Sequence, residues 1–148
     1  RKCKGASSAL ESLGGTIDYL YTFLTHMDGT TRRIYGFAWD DTLNRLLRLT
    51  TLGVTPSPLT DFTAFASGVD LFADSALWHT AKLVVDLATN EYVRLRLDGV
   101  TYDLSGLTPL SSANAALPRL EAFWVLRSRA GQNDTLYLDD FILTQNEP

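Results

Sequence analysis

Cysteine is nearly missing from this sequence. Cys3 stands alone among 148 residues, so no internal disulfide can staple the chain and burial must hold it together. Histidine is scarce as well: His26 and His79 are the only two, and with Cys3 they give no zinc spacing. Positive charge is in deficit, with a formal net charge of −4. A protein that grips nucleic acid through its phosphates needs a basic footprint. Docking on anionic lipid needs the same. The one short basic run, Arg1-Lys2-Cys3-Lys4, reads as a solvated tail, and no nucleic-acid partner is expected. Long hydrophobic runs are missing too. The longest uncharged stretch, Leu104 to Pro118, is broken by Gly106, Pro109 and several serines, well short of the ~20 apolar residues of a membrane span. Gly5-Ala6-Ser7-Ser8-Ala9 lacks the apolar segment of a signal peptide. Residue 1 is Arg, and the chain reads as processed or cut from a longer protein.

Catalytic motifs are equally thin. Only four glutamates occur, Glu11, Glu91, Glu121 and Glu147, and no two acidic residues stand at i, i+2. That spacing would set a nucleophile and an acid on one face of one strand, with carboxyls about 5–5.5 Å apart. A pair drawn from different strands, such as Glu121 with Asp18 or Glu91, stays open beside the reading of each as a solvated strand residue. No Gly-x-Ser-x-Gly elbow, Gly-x-Gly-x-x-Gly turn or Walker loop is present. No catalytic residue is assigned.

What the chain does have is period-2 patterning. With 45% apolar and 11% aromatic residues it can fill a core, and a chain of this length buries roughly 70% of its unfolded surface as one domain, residues 1–148, residues 1–14 being the least defined part. In Thr16–Thr25, Ile17, Tyr19, Tyr21 and Phe23 share one face, and Leu20 and Leu24 the other. A turn is expected at His26-Met27-Asp28-Gly29. Arg33–Trp39 alternates again, with Tyr35, Phe37 and Trp39 together. Asn44–Leu52 carries leucines at helical spacing, but its threonines and neighbours favour a strand. Pro56-Ser57-Pro58 marks a loop, and Phe62, Phe65 and Ala66 suit one helical turn. Trp78–Leu87, Glu91–Asp98 and Val100–Leu104 read as a meander whose second turn is Asp98-Gly99. Leu107–Pro118 is expected as a loop, followed by strands at Arg119–Arg129 and Thr135–Thr144. About nine strands and no long helix point to an all-β, two-sheet antiparallel sandwich.

Two sites follow from the residues. Alternation along a final strand sends Asp139 and Asp140 to opposite faces. The inward one needs a partner, because an unpaired buried carboxylate is expensive. Calcium with backbone carbonyls is one partner; loop N–H groups or an arginine are the other. A sugar site needs aromatic faces and a few polar groups. Trp39, Trp124 and Tyr35 are the platform candidates, with Arg45 and Arg94 as donors, although each ring also suits a core.

Several segments carry a resemblance. Trp78-His79-Thr80-Ala81-Lys82-Leu83-Val84-Val85-Asp86-Leu87, followed by Tyr92-Val93-Arg94 and Leu97-Asp98-Gly99, resembles the central hairpin of concanavalin A-like sandwich domains. Leu136-Tyr137-Leu138-Asp139-Asp140-Phe141-Ile142-Leu143 is similar to their final strand, and Tyr35-Gly36-Phe37-Ala38-Trp39-Asp40 to an early one. The resemblance implies a jelly roll, shorter than many members and so lacking one or more N-terminal strands. It implies a structural calcium near the final strand, a structural role for His79, and a secreted or cell-surface setting. It also implies a carbohydrate-binding or adhesive module of a larger protein. A glycoside hydrolase or lyase with acids from different strands, and a structural domain without ligand, are the other readings.

Overall fold

The computed structural model describes residues 7–10, 17–51, 61–71, 78–139 and 141–144. Eleven strands and no helix occur among them. These are β1 (Ser7–Leu10), β2 (Ile17–Met27), β3 (Thr31–Asp40), β4 (Arg45–Leu49), β5 (Phe62–Ser67), β6 (Trp78–Asp86), β7 (Glu91–Leu97), β8 (Val100–Asp103), β9 (Leu110–Ala113), β10 (Arg119–Ser128) and β11 (Leu136–Leu138). The first sheet runs β11-β1-β6-β7-β8 and the second β10-β2-β3-β4-β5, with β9 pairing the start of β3. Every pairing is antiparallel.

The two sheets share a core. Leu20, Tyr35, Phe37, Trp39 and Leu46 of the second sheet are buried in one cluster with Tyr92, Leu95 and Leu97 of the first. At its centre the Tyr92 hydroxyl crosses between the sheets to a single residue. It accepts from the Gly36 N–H at 2.7 Å and donates to the Gly36 carbonyl at 3.2 Å. Gly36 lies between the part of β3 paired with β9, which ends at Ile34, and the part paired with β4, which begins at Phe37. A backbone pair in such a gap needs another partner, because a buried unsatisfied peptide group costs about as much as a lost hydrogen bond. The phenol supplies both bonds.

The turns follow their residue chemistry. Asp28 accepts from the Thr30 and Thr31 N–H groups at 2.9 and 2.8 Å and from Arg33 at 2.6 Å, and these bonds, Arg33 foremost, hold its carboxyl well below the usual range. Asp98 and Gly99, with φ of 49° and 92°, make the tight β7–β8 turn expected of that dipeptide.

Three expectations are corrected. Phe62, Phe65 and Ala66 are not a helical turn but part of β5, whose pairing with β4 slips between Leu46 and Leu47. The bulge brings Phe65 and Ala66 together against the inter-sheet core, while Phe62 joins a cluster on the opposite face, so apolar positions fall at 62, 65 and 66 as they would in a helix. The stretch Leu107–Pro118 contains β9, which pairs with Thr31–Ile34. The last strand ends at Leu138 rather than Thr144. The proline loop at 56–58 and the basic run at 1–4 lie outside the described residues.

Candidate functional site

Two of the three platform candidates are core residues. Tyr35 is 0% exposed and Trp39 1%. The Trp39 indole N–H donates to the Val69 carbonyl at 2.8 Å, and Tyr35 meets Tyr92 edge to face at 5.3 Å. Neither ring has a face to offer a ligand, which corrects the expectation. Both lie on the β3 face that looks toward the first sheet. Trp124 stands opposite Thr22 on β10, on the side where Leu126 meets the inter-sheet core. It is half-buried, with Phe141 edge-on at 5.0 Å, and so serves the margin of the sandwich rather than an outer face. Arg45 is likewise engaged. Its Nε is 2.7 Å from the Asp40 carboxylate, whose side chain is 1% exposed and which also accepts the Leu43 N–H at 3.2 Å. Its task is to neutralise a buried acid.

The carboxylates expected to matter are dispersed. Asp139 follows β11 and is exposed, so strand alternation does not bury it, and Asp140 lies outside the described residues. Asp41 sits in an acidic corner: burial pushes its carboxyl up, Arg129 at 2.9 Å opposes this, and Asp70, Asp40 and Asp134 add to the rise. Among the described residues no three His, Cys, Asp or Glu side chains are arranged to hold a metal ion. Glu121 pairs with Arg119 at 2.6 Å, and Asp18 faces Arg127 at 3.3 Å. Glu121 stands opposite Thr25, seven residues along β2 from Asp18, or ~24 Å, and Glu91 belongs to the other sheet. None of these acids is brought to another across a common floor.

The outer face of the second sheet is rich in rings, but they are closed in. Tyr19, Tyr21, Phe23 and Phe62 are all buried; Tyr21 stacks on Phe62 at 5.5 Å and Arg127 lies 5.9 Å over Tyr19. Gly36 is part of that packing. A Cβ there would stand 2.7 Å from the Phe23 ring, so only glycine leaves the ring its place.

The outer face of the first sheet is different. Ala81, Leu83 and Val85 turn inward from β6, which sends Trp78, Thr80 and Lys82 outward. Leu136 turns inward from β11, which sends Tyr137 outward. Trp78 and Tyr137 both pair with Ala9 of β1, so they stand on one face with one strand between them, about 10 Å apart. They are 57% and 52% exposed. The strand beneath Trp78 is fixed by Asp98, which takes His79 Nδ1 at 2.6 Å and the Thr80 N–H at 2.8 Å. His79 is thus buried in a structural pair, while its neighbour is presented to solvent. Thr80, Lys82 and Arg96 extend the face. Exposed aromatic rings of this kind offer flat faces on which an apolar ligand surface can stack.

Trp78 was legible in principle. The inward set Ala81, Leu83 and Val85 fixes the parity of β6, and Trp78 falls on the other side. Tyr137 depends on the pairing with β1, which no local pattern announces.

No family model, curated protein or solved structure matches the chain.

Proposed function

We propose that the chain is a carbohydrate-binding module of the jelly-roll, concanavalin A-like kind, seating glycan on the outer face of the first sheet. The observation that carries this reading is the pair of aromatic side chains, Trp78 and Tyr137, both more than half exposed on one face. Burying aromatic surface is a main source of folding energy, and these two rings forgo it side by side. The jelly-roll reading draws on the strand order, in which β1 and β11 are neighbours while β2 and β10 pair in the opposite sheet. In an adhesive protein the same face would hold a glycan presented by a partner.

Binding of the intact protein to a glycan array, followed by calorimetry on a hit, tests the proposal. Affinity in the micromolar to millimolar range is expected, about 4–8 kcal/mol. Trp78→Ala should lower it at least tenfold with the melting temperature within about 2 °C of the parent, since the exposed ring contributes little to the core. An array with no hits, or a Trp78→Ala variant that binds as the parent does, would leave a structural domain as the better reading.

A further inference from the structure

We infer that the chain forms a symmetric dimer, the edge of β10 pairing with the same edge of a second copy. This does not depend on the glycan reading, because it concerns the second sheet. Among the described residues the two sheets end in four edge strands. In the first sheet these are β11 and β8, three and four residues long. In the second they are β5, six residues with a bulge against β4, and β10, ten residues from Arg119 to Ser128. Among the described residues β10 pairs with β2 alone. Short or bulged strands, prolines and inward-pointing charges guard a sheet edge against pairing with another chain. β10 has none of these over Arg119–Arg127. Its register slip comes only at the Arg127/Ser128 step, and its inward side chains, Leu120, Ala122, Trp124 and Leu126, are uncharged. An unguarded strand of this length is a template for a partner strand.

The outward side chains select the partner. Phe123 and Val125 are 48% and 43% exposed, whereas Phe23 and Tyr21, which they face on β2, are buried. Outward along β10 the order is Arg119, Glu121, Phe123, Val125, Arg127. Opposed residues of an antiparallel pair share a face, so two copies of β10 can meet only with odd positions against odd. With Trp124 opposite itself, Phe123 meets Val125 of the second copy and Glu121 meets Arg127 of the second copy, each twice by symmetry. A shift of two residues either way breaks this. One shift opposes Arg119 to Arg127 and leaves Glu121 against Val125. The other sets Arg127 against Phe123 and carries Glu121 past the end of the strand. Charge complementarity thus picks one register and one partner, a second copy of this chain. The ion pairs within the chain are compatible with it. Arg119 takes Glu121 Oε1 at 2.6 Å, and Arg127 Nε lies 3.3 Å from Asp18. A carboxylate has a second oxygen and a guanidinium has five N–H donors. On each side of the twofold axis the pairing lines up Arg119 and Glu121 of one copy with Arg127 and Asp18 of the other, in alternating charge.

Sedimentation velocity on the intact protein between about 1 and 200 µM, the range suited to a modest interface, tests the dimer. The mass should rise with concentration toward that of two chains. Glu121→Arg sets Arg against Arg127, and Arg127→Glu sets Glu against Glu121. Each variant alone should raise the dissociation constant at least tenfold, with a melting temperature at low concentration close to the parent's. Mixed in equal amounts, the two variants should associate to within about threefold of the parent, because every opposed pair is again of opposite charge. A parent that stays monomeric at about 200 µM would overturn the inference. So would a dimer that neither charge variant weakens, or folded variants that do not associate when mixed. Val125→Lys keeps the test decisive should a charge variant not fold. It puts a cation in the middle of the edge and should leave a folded monomer; a folded Val125→Lys chain that dimerises as the parent does would overturn the edge pairing.

Discussion

Replacing Gly36 by alanine inserts one methyl group between the Phe23 ring and Leu49 on the second sheet. The new Cβ would lie 2.7 Å from Phe23 Cδ1, 3.0 Å from Cε1 and 3.1 Å from Leu49 Cβ. Phe23 cannot swing aside freely, because its ring is stacked 6.3 Å from Tyr21 and packed against Phe62 at 6.2 Å. Nor can β3 retreat, since the Gly36 N–H and carbonyl are both bonded to Tyr92. Overpacking of this kind costs about 1–3 kcal/mol. Gly36 is not among the residues of positive φ, so alanine suits the backbone and the stiffer unfolded chain returns ~0.4–1 kcal/mol. The net expectation is a loss of about 1–2 kcal/mol, or a melting temperature lowered by ~3–6 °C for a domain of this size. Urea unfolding followed by tryptophan fluorescence reads it. Phe23→Leu in the same chain should recover part of the loss, giving a coupling of ~0.5–1.5 kcal/mol. A Gly36→Ala variant as stable as the parent, or strict additivity with Phe23→Leu, would refute the clash.

Tyr92→Phe should cost about 1–3 kcal/mol by stranding the Gly36 N–H and carbonyl, whereas Tyr35→Phe should be neutral or stabilising, because the buried Tyr35 hydroxyl has no hydrogen-bond partner among the described residues; thermal melts of both variants check the contrast. Burial pushes the phenols of Tyr92 and Tyr21 up to about 12. The unfolded chain releases these protons near pH 10, so the folded state holds more of them above that point. Their contribution should be intact below pH 10 and fall as pH rises toward 12, which urea midpoints between pH 9 and 12 would register. Arg45→Ala should cost ~2–3 kcal/mol, less than a fully buried pair because Arg45 keeps a 25% exposed side chain, and Asp40→Asn in the same background should restore part of it.

The alternation in β2, β3, β6 and β7 was readable from the sequence because each strand has an apolar face set by its own residues. Tyr35, Phe37 and Trp39 were placed correctly on one face. Which way that face looks was not readable. Both faces of the second sheet are apolar, Leu20 and Leu24 on one side of β2 and Tyr19, Tyr21 and Phe23 on the other. Periodicity alone cannot tell a platform from a core in such a strand. β9 was missed because Leu110-Ser111-Ser112-Ala113 holds its place through backbone pairing with β3, and composition does not report backbone bonds. The single-residue slip in β5 disguised a strand as a helical turn. Aromatic neighbours in the sequence do not mark an outer face: Tyr35 and Trp39, which alternate with Phe37, are buried. Trp78 stands among threonine and lysine, and that company is the signal of an outer face.

The hydroxyl of Tyr92 has a consequence beyond its two hydrogen bonds. Sheets packed through side chains alone tolerate small slides, since aliphatic contacts are exchanged for similar ones. A slide of one strand residue, ~3.4 Å, would carry this oxygen out of reach of both Gly36 groups at once. The relative position of the sheets is thereby set at the middle of the sandwich rather than at its turns. Loops at either end can then change length or composition without shifting one sheet over the other. The outer face built on β6 and β11 keeps its spacing even if the connections around it are rewritten.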